Sequence, residues 1–337
     1  MKVLVTGGGG FLGGAIVRRL VARGDAVRTL QRGEYPALAV LGVECVRGDL
    51  SDAALVQAAV RGCDAVIHTA AKAGVWGPFE DYYRANVVGT RNVLAACRAV
   101  GVKRLVYTSS PSVVFDGRDE AGIDETAPYP ARYLAHYPRT KAEAERAVLA
   151  ANGPELATVA LRPHLIWGPG DPHLLPRLVA RAQSGKLRLV ARDDNLVDST
   201  YVDNAALAHV LALDALSQAD AWHRAACAGR AYFISNGEPL PMAELVNKLL
   251  AAKGVPPVTR TVSPRLAYAA GAMLDMLYKL LGRRDEPPIT RFVARQLSTS
   301  HWYDLTAARR DLGYEAEVSL AEGLARIAAE NEPTSIP

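Results

Sequence analysis

One short run near the start of the chain constrains the fold more than any other. Thr6-Gly7-Gly8-Gly9-Gly10-Phe11-Leu12-Gly13 follows the apolar segment Val3-Leu4-Val5 and opens the helical pattern Ala15-Ile16-Val17, Leu20-Val21. A strand, a glycine turn and a helix in that order suit the binding of a pyrophosphate. Gly7 makes the tight turn, Gly10 lets a phosphate approach the backbone, and Gly13 lets the helix pack close. Unpaired N–H groups and the positive end of the helix dipole then face the phosphates. Gly7, Gly10, Phe11, Leu12 and Gly13 are therefore expected against a dinucleotide.

Further short apolar segments alternate with helical patterns. Ala26 to Leu30, Glu44 to Val46, Ala65 to His68 and Arg104 to Thr108 read as strands, and 86–98 as a helix ended near Gly101. This alternation predicts a parallel sheet covered on both faces. Later segments are broken by proline and glycine: a strand at 159–162, helices near 174–184, 204–216, 242–253 and 266–281, and strands at 187–190 and 232–235. The expectation is an α/β protein, a doubly wound parallel-sheet Rossmann domain with a smaller interleaved C-terminal substrate lobe. Residues 1–165, with returns near 196–216 and 231–236, would form the core, and 166–195 and 237–337 the lobe.

The end of the second strand selects the cofactor. An acidic residue there would hydrogen-bond the ribose hydroxyls of NAD. Eighteen residues after Gly13 stands Gln31, followed by Arg32. A guanidinium makes charge-assisted contacts with a 2′-phosphate, so NADP(H) is expected. Asp49 and Leu50 would lie near the adenine, and Ala70 and Ala71 where the cofactor passes closely.

Tyr137-Pro138-Arg139-Thr140-Lys141 places a phenol and an ammonium four residues apart, on one face if the segment is helical. A phenol with its free pKa near 10 is a poor acid–base group at neutral pH, and a neighbouring cation lowers that value. Ser110 ends the fifth strand, where ligands bind in open parallel sheets. It is placed to polarise a substrate oxygen, with Ser112 as support. Asn86 would start its helix, a position that also suits an ordinary cap. Core or supporting roles are expected for His136 and His164.

With 337 residues and a net charge of +4, the chain has no basic block that would favour nucleic acid. Four scattered cysteines lack metal-ligand spacing, and Met1-Lys2 runs straight into the first strand. A reducing cytoplasm, free and mostly buried thiols, and no metal are expected. Residues 266–281 are apolar but include Asp275 and Lys279 and are too short to span a bilayer. A buried or cleft-lining helix is the expected reading, with peripheral membrane contact the other.

In TGGGGFLG, GDL, HTAA, NVVGTRNVL, YTSS, YPRTK, LRPHLIWGPGD, YVDNAA and DLTAARRDLGYEAEVSLAEGL, the chain resembles the extended short-chain dehydrogenase/reductases over nearly its whole length. Within them it resembles the branch of 3β-hydroxysteroid and sterol-4-carboxylate dehydrogenases. AAKAGVWG, LVYTSSPSVVF, NGEPLPM and RFVARQLSTSHWY are similar to a bacterial group of 2-alkyl-3-oxoalkanoate reductases of long-chain olefin biosynthesis. That likeness implies NADPH-driven reduction of a long-chain β-keto acid, beside a β-lactone synthetase and a β-lactone decarboxylase. A 3β-hydroxysteroid or sterol dehydrogenase is the alternative.

The resemblance also implies that Tyr137 is the acid, Lys141 tunes it and binds the nicotinamide ribose, Ser110 polarises the ketone and Asn86 shapes the polar network. A homodimer through the helices of 86–98 and 137–150 is expected by analogy. Lys72, just after the small-residue run, is the expected partner of a substrate carboxylate. His164 joins Ser110, Ser112 and Tyr137 as a substrate candidate, and the 266–281 stretch would suit long alkyl chains.

Overall fold

The computed structural model describes residues 1–190, 192, 194–218 and 222–330. Positions 191, 193 and 331–337 of the expected lobe lie outside the described residues.

Seven strands form one all-parallel sheet. Its chain-order members are β1 (Lys2–Thr6), β2 (Ala26–Gln31), β3 (Glu44–Arg47), β4 (Ala65–His68) and β5 (Arg104–Thr108), joined by Ala157–Pro163 and Arg230–Ile234. Across the sheet the order is Arg230–Ile234, Ala157–Pro163, β5, β4, β1, β2, β3. The chain returns from the β3 edge to the centre, so β1 sits between β2 and β4. Their carboxyl ends flank the switch point, where open α/β sheets bind ligands.

Burial follows from covering both faces. Val3 and Val5 pack into one apolar cluster while Leu4, between them, packs into another. Helix α1 (Phe11–Ala22) and helix Val202–Gln218 pack together on one side, and Ala53–Val60 and Gly89–Val100 on the other. Strand Ala157–Pro163 is buried at every residue, as a central parallel strand must be.

The lobe is woven from distant segments. A second sheet runs Leu240–Pro241, Leu196–Val197, His301–Tyr303, Glu120–Ile123. Its last strand comes from before residue 165 and pairs in parallel with His301–Tyr303, so residues assigned by sequence to the core also build the lobe. Helix Thr306–Leu312 packs against Arg230–Ile234 and Val202–Gln218 of the core. These strands are two to four residues long and carry no periodic signal, which is why the sequence does not disclose them.

Helix Pro264–Leu280 corrects an expectation. Its buried residues are the small Ala267 and Gly271 together with Asp275, and its large apolar residues face outward. The apolar run is real, but the side packed on the protein is the one with small side chains. No helix among the described residues is long and apolar enough to cross a membrane.

Candidate active site

A cavity of about 610 Å³ runs along the carboxyl ends of the strands, within the usual range for ligand sites. The glycine turn, Gln31, Arg32, Asp49 and Leu50 line one end, and Ser110, Tyr137 and Lys141 the other. Ala70, Ala71 and Lys72 lie along the wall between them.

The turn is built as its residues require. Gly7 has φ +71°, a conformation that favours glycine. A Cβ on Gly13 would lie 2.1 Å from the Gly7 carbonyl oxygen, so only glycine lets α1 start so close to the turn. No side chain caps α1 and no acid lies in its first turn. Its free N–H groups therefore remain available to an anion, and these residues fit a dinucleotide pyrophosphate.

At the adenosine end, Gln31 is buried with its Oε1 unpaired. Arg32 is exposed, and its guanidinium has no hydrogen-bond partner among the described residues. Asp49 accepts hydrogen bonds from the Ser51 N–H (2.9 Å) and hydroxyl (2.7 Å), which hold its carboxyl below the usual range. Tyr35 also lines this end and packs its ring against Gly9; nothing in the sequence pattern singled it out.

Tyr137 and Lys141 sit one turn apart on helix His136–Ala150. Lys141 is buried; its ammonium donates to the Thr108 carbonyl at 2.5 Å and sits over the Tyr107 ring, 4.3 Å from the centroid. Burial lowers its pKa to about 7, partly opposed by Glu145. Burial raises the Tyr137 phenol, while a hydrogen bond with Ser110 pulls it down. Ser110 and Ser112 share a hydrogen bond at 2.9 Å, and Ser110 accepts from the Ser112 N–H at 3.2 Å. Ser112 thus orients Ser110 from behind without lining the cavity. Ser109, which does line it, has a buried hydroxyl with no partner.

Asn86 neither caps nor starts a helix. It lies in the π-helical turn Tyr83–Val88, inside a helical run that begins at Phe79. Its Oδ1 accepts from the Lys72 N–H (2.7 Å); its Nδ2 donates to the Lys72 carbonyl (3.2 Å) and to Thr140 Oγ1 (3.0 Å). The amide therefore fastens the cavity wall at Lys72 to the helix of Tyr137 and Lys141, a positioning role. His68 extends the scaffold: Nδ1 meets Thr6 Oγ1 at 2.7 Å and Nε2 meets Thr90 Oγ1 at 2.9 Å. Burial and the Lys141 charge depress its pKa to about 3, so it stays neutral.

Two substrate candidates stand differently from the expectation. His164 is buried outside the cavity lining, bonds the Asp198 carbonyl through Nδ1 at 2.6 Å, and packs against the His301 and Tyr303 rings. The chain reverses at the next residue: Leu165, with φ +43°, is the one non-glycine residue of positive φ among those described, and it faces the cavity instead. Lys72 lines the cavity, but its ammonium is 3.5 Å from Asp81 and over the Tyr82 ring. A carboxylate bound there must compete with Asp81. Asp171, which accepts N–H bonds from His173, Leu174 and Leu175, closes the far wall beside His173.

The 3-beta hydroxysteroid dehydrogenase/isomerase family model matches residues 4–265. The chain belongs to that family. It is an oxidoreductase acting at a carbinol or carbonyl carbon. The 2-alkyl-3-oxoalkanoate reductase of Stenotrophomonas maltophilia is 57% identical over 332 residues, covering 98% of this chain and 99% of the relative. The mouse (Mus musculus) sterol-4-alpha-carboxylate 3-dehydrogenase, decarboxylating, is 34% identical across 96% of this chain and 89% of its own length. Among solved structures, MoeE5 in complex with UDP-glucose and NAD superposes with TM-score 0.73 at 29% identity, covering 98% of both chains. Tyr137 with Lys141 and the glycine turn thus lie at opposite ends of one cavity.

Proposed function

We propose that this chain uses NADPH to reduce the 3-keto group of a long-chain 2-alkyl-3-oxoalkanoic acid to the 3-hydroxy acid. The observation that carries this reading is the 57% identity, end to end, with a reductase of that substrate. The cavity supports it: Tyr137, Lys141 and Ser110 converge where a ketone would meet the cofactor. Arg32 stands free at the adenosine end, where a 2′-phosphate needs a cation.

The glycine turn and the start of α1 would hold the pyrophosphate, and Lys141 the nicotinamide ribose. A reduced nicotinamide bound there supplies a hydride. Ser110 donates a hydrogen bond to the ketone oxygen and stabilises the negative charge that grows on it. Tyr137 delivers the proton to that oxygen from its phenol Oη. Lys141, a cation one turn away, keeps the phenolate that Tyr137 leaves behind from being prohibitively costly. Asn86 keeps wall and helix in register throughout. We also propose a homodimer through helices Gly89–Val100 and His136–Ala150, working beside a β-lactone synthetase and a β-lactone decarboxylase.

Single-turnover loss of NADPH absorbance with a racemic 2-alkyl-3-oxoalkanoic acid tests the reading, with NADH and a 3β-hydroxysteroid plus NAD in parallel. Rapid NADPH loss with the keto acid is expected. Turnover of the steroid alone would move the assignment to a sterol dehydrogenase, the function named for the 34% identical mouse relative.

A further inference from the structure

Lys141 is a buried cation that forms no ion pair among the described residues. It is 2% exposed; its ammonium donates to the Thr108 carbonyl at 2.5 Å and lies over the Tyr107 ring. A carbonyl and a ring face carry partial charges only, and a buried ammonium is costly unless a full charge offsets it. The chemistry proposed above needs that cation, because a neutral amine does not stabilise the phenolate that Tyr137 leaves behind. The offset therefore comes from beyond contact range.

Helix His136–Ala150 supplies it. Tyr137, Lys141 and Glu145 follow at four-residue intervals and share one face of that helix, where neighbours four apart have Cβ atoms about 5–6 Å from each other. Glu145 is wholly buried and its carboxylate is clamped. Oε2 accepts from Arg162 Nε at 3.0 Å, and Oε1 accepts from Arg162 Nη2 and from the Tyr129 hydroxyl, each at 2.7 Å. Arg162 stands on strand Ala157–Pro163, against the Phe233 ring, and its buried Nη1 has no partner. The negative end of this pair thus lies on the helix of Lys141 and the positive end on the sheet.

The other groups around Lys141 carry no negative charge at neutral pH. Tyr107 on β5 and Tyr137 on its own helix are phenols that burial pushes up. His68 on β4 and His209 on helix Val202–Gln218 are buried and neutral, depressed by burial, with the Lys141 charge adding to it, to about 3 and about 4. Glu145 is the one anion that acts on Lys141, opposing the effect of burial. Tyr107, Tyr129 and Tyr133 surround Glu145, with Arg146 over the Tyr129 ring, and Glu120 and Glu125 act on Arg162 from the lobe side. A buried ion pair is weak evidence for stability, since apolar residues of similar volume often serve a fold as well. A lone buried ammonium one turn away gives this pair a reason to be ionic.

We infer that Glu145, clamped by Arg162 and Tyr129, is the counter-charge that keeps Lys141 an ammonium inside the site. Glu145 does not line the cavity, so it is a positioning residue that serves Tyr137 through the charge of Lys141. Reduction slows as pH rises through the Lys141 titration, because the site then loses its cation. The consequence for turnover rests on the reductase reading above; the effect of Glu145 on Lys141 does not.

The titration of Lys141 itself tests the inference, read from the ε-carbon shift in NMR of the full chain labelled at lysine and assigned by its loss in Lys141→Arg. From about 7 in the unaltered chain, Glu145→Gln should move the titration down by roughly one pH unit. Glu145→Gln with Arg162→Gln leaves no unpaired buried charge and should show the same shift, while Glu145→Asp, which keeps the carboxylate, should restore most of it. In Glu145→Gln, single-turnover loss of NADPH with the keto acid should fall up to about tenfold near pH ~8 and less than about twofold near pH ~5.5, as the ammonium fraction requires. An unchanged Lys141 titration in either glutamine variant would overturn the inference. So would failure of both to fold, which would assign the pair to the fold alone. A shifted titration with no keto-acid turnover even in the unaltered chain would remove the substrate reading and leave the role of Glu145 standing.

Discussion

Two helices of this protein show how differently a similar apolar sequence is used. Helix α1 turns Ala15, Ile16, Val17 and Leu20 into the core and leaves its amino end bare for an anion. Helix Pro264–Leu280 is capped by Ser263, whose hydroxyl accepts the Leu266 N–H at 3.3 Å, buries only small residues and Asp275, and displays Leu and Met. In α1 the preceding strand and glycine turn dictate which face meets the sheet. In Pro264–Leu280 nothing local does so, and the close approach at Gly271 to Thr290 decides. Hydrophobicity reports that a face must be covered; it does not report by what.

The comparison is most severely tested at the chemistry. Tyr137→Phe should lower the single-turnover rate by ~10²–10⁴ with cofactor affinity unchanged, whereas Leu277→Ser should leave the rate with a soluble short-chain substrate within about twofold. A large rate loss in Leu277→Ser would place the second helix inside the catalytic machinery.

The two glycines sharpen it next. Gly13→Ala puts a Cβ 2.1 Å from the Gly7 carbonyl oxygen, and should cost roughly 1–3 kcal/mol or more of stability and weaken dinucleotide binding at least tenfold. Gly271→Ala should cost a similar amount in denaturant unfolding but leave dinucleotide titrations unchanged. Equal effects on binding would erase the distinction between the two helices.

Acid stability separates core from lobe. Burial depresses His68 in the core to about 3 and His164 beside the lobe to about 4. Below pH ~6.5 the unfolded chain takes up protons that the native imidazoles refuse, so stability falls as pH is lowered, down to those native values. In the lobe sheet, burial raises Glu120 to about 8, partly offset by the Tyr303 hydroxyl. There the native state holds the extra proton, and stability falls as pH rises from ~4.5 towards 8. Urea midpoints across this range should fall on both sides, and Glu120→Gln should flatten only the alkaline limb.

A smaller effect is expected at Arg32. Arg32→Ala should weaken NADPH about tenfold or more and leave NADH nearly unchanged, read by fluorescence titration, as loss of a charge-assisted phosphate contact requires. Equal losses for both cofactors would assign Arg32 to the fold. The smallest effect belongs to the outward stripe: Leu280→Ser should shift unfolding free energy by no more than ~0.5 kcal/mol, since the residue is 76% exposed.

Much of this was legible in the residues because the information is local. The strand–glycine–helix succession at 3–21, the tyrosine and lysine one turn apart, and Ser110 at a strand end need only backbone geometry to be read. The seven-stranded sheet follows from apolar strands alternating with helices. Other features are set by contacts between segments far apart in the chain. Asn86 became the clasp between Lys72 and Thr140 because a π-turn re-aims it. His164 left the cavity because the backbone reverses at Leu165. The pairing of Glu120–Ile123 with His301–Tyr303, 180 residues later, has no sequence signal at either end. The sequence by itself determined a dinucleotide-type fold and the placing of Tyr137 and Lys141 one helical turn apart, since turn chemistry and helical periodicity act over a few residues. Only the tertiary structure decided which side of Pro264–Leu280 is buried and which faces out, because that depends on where small residues allow two distant backbones to meet.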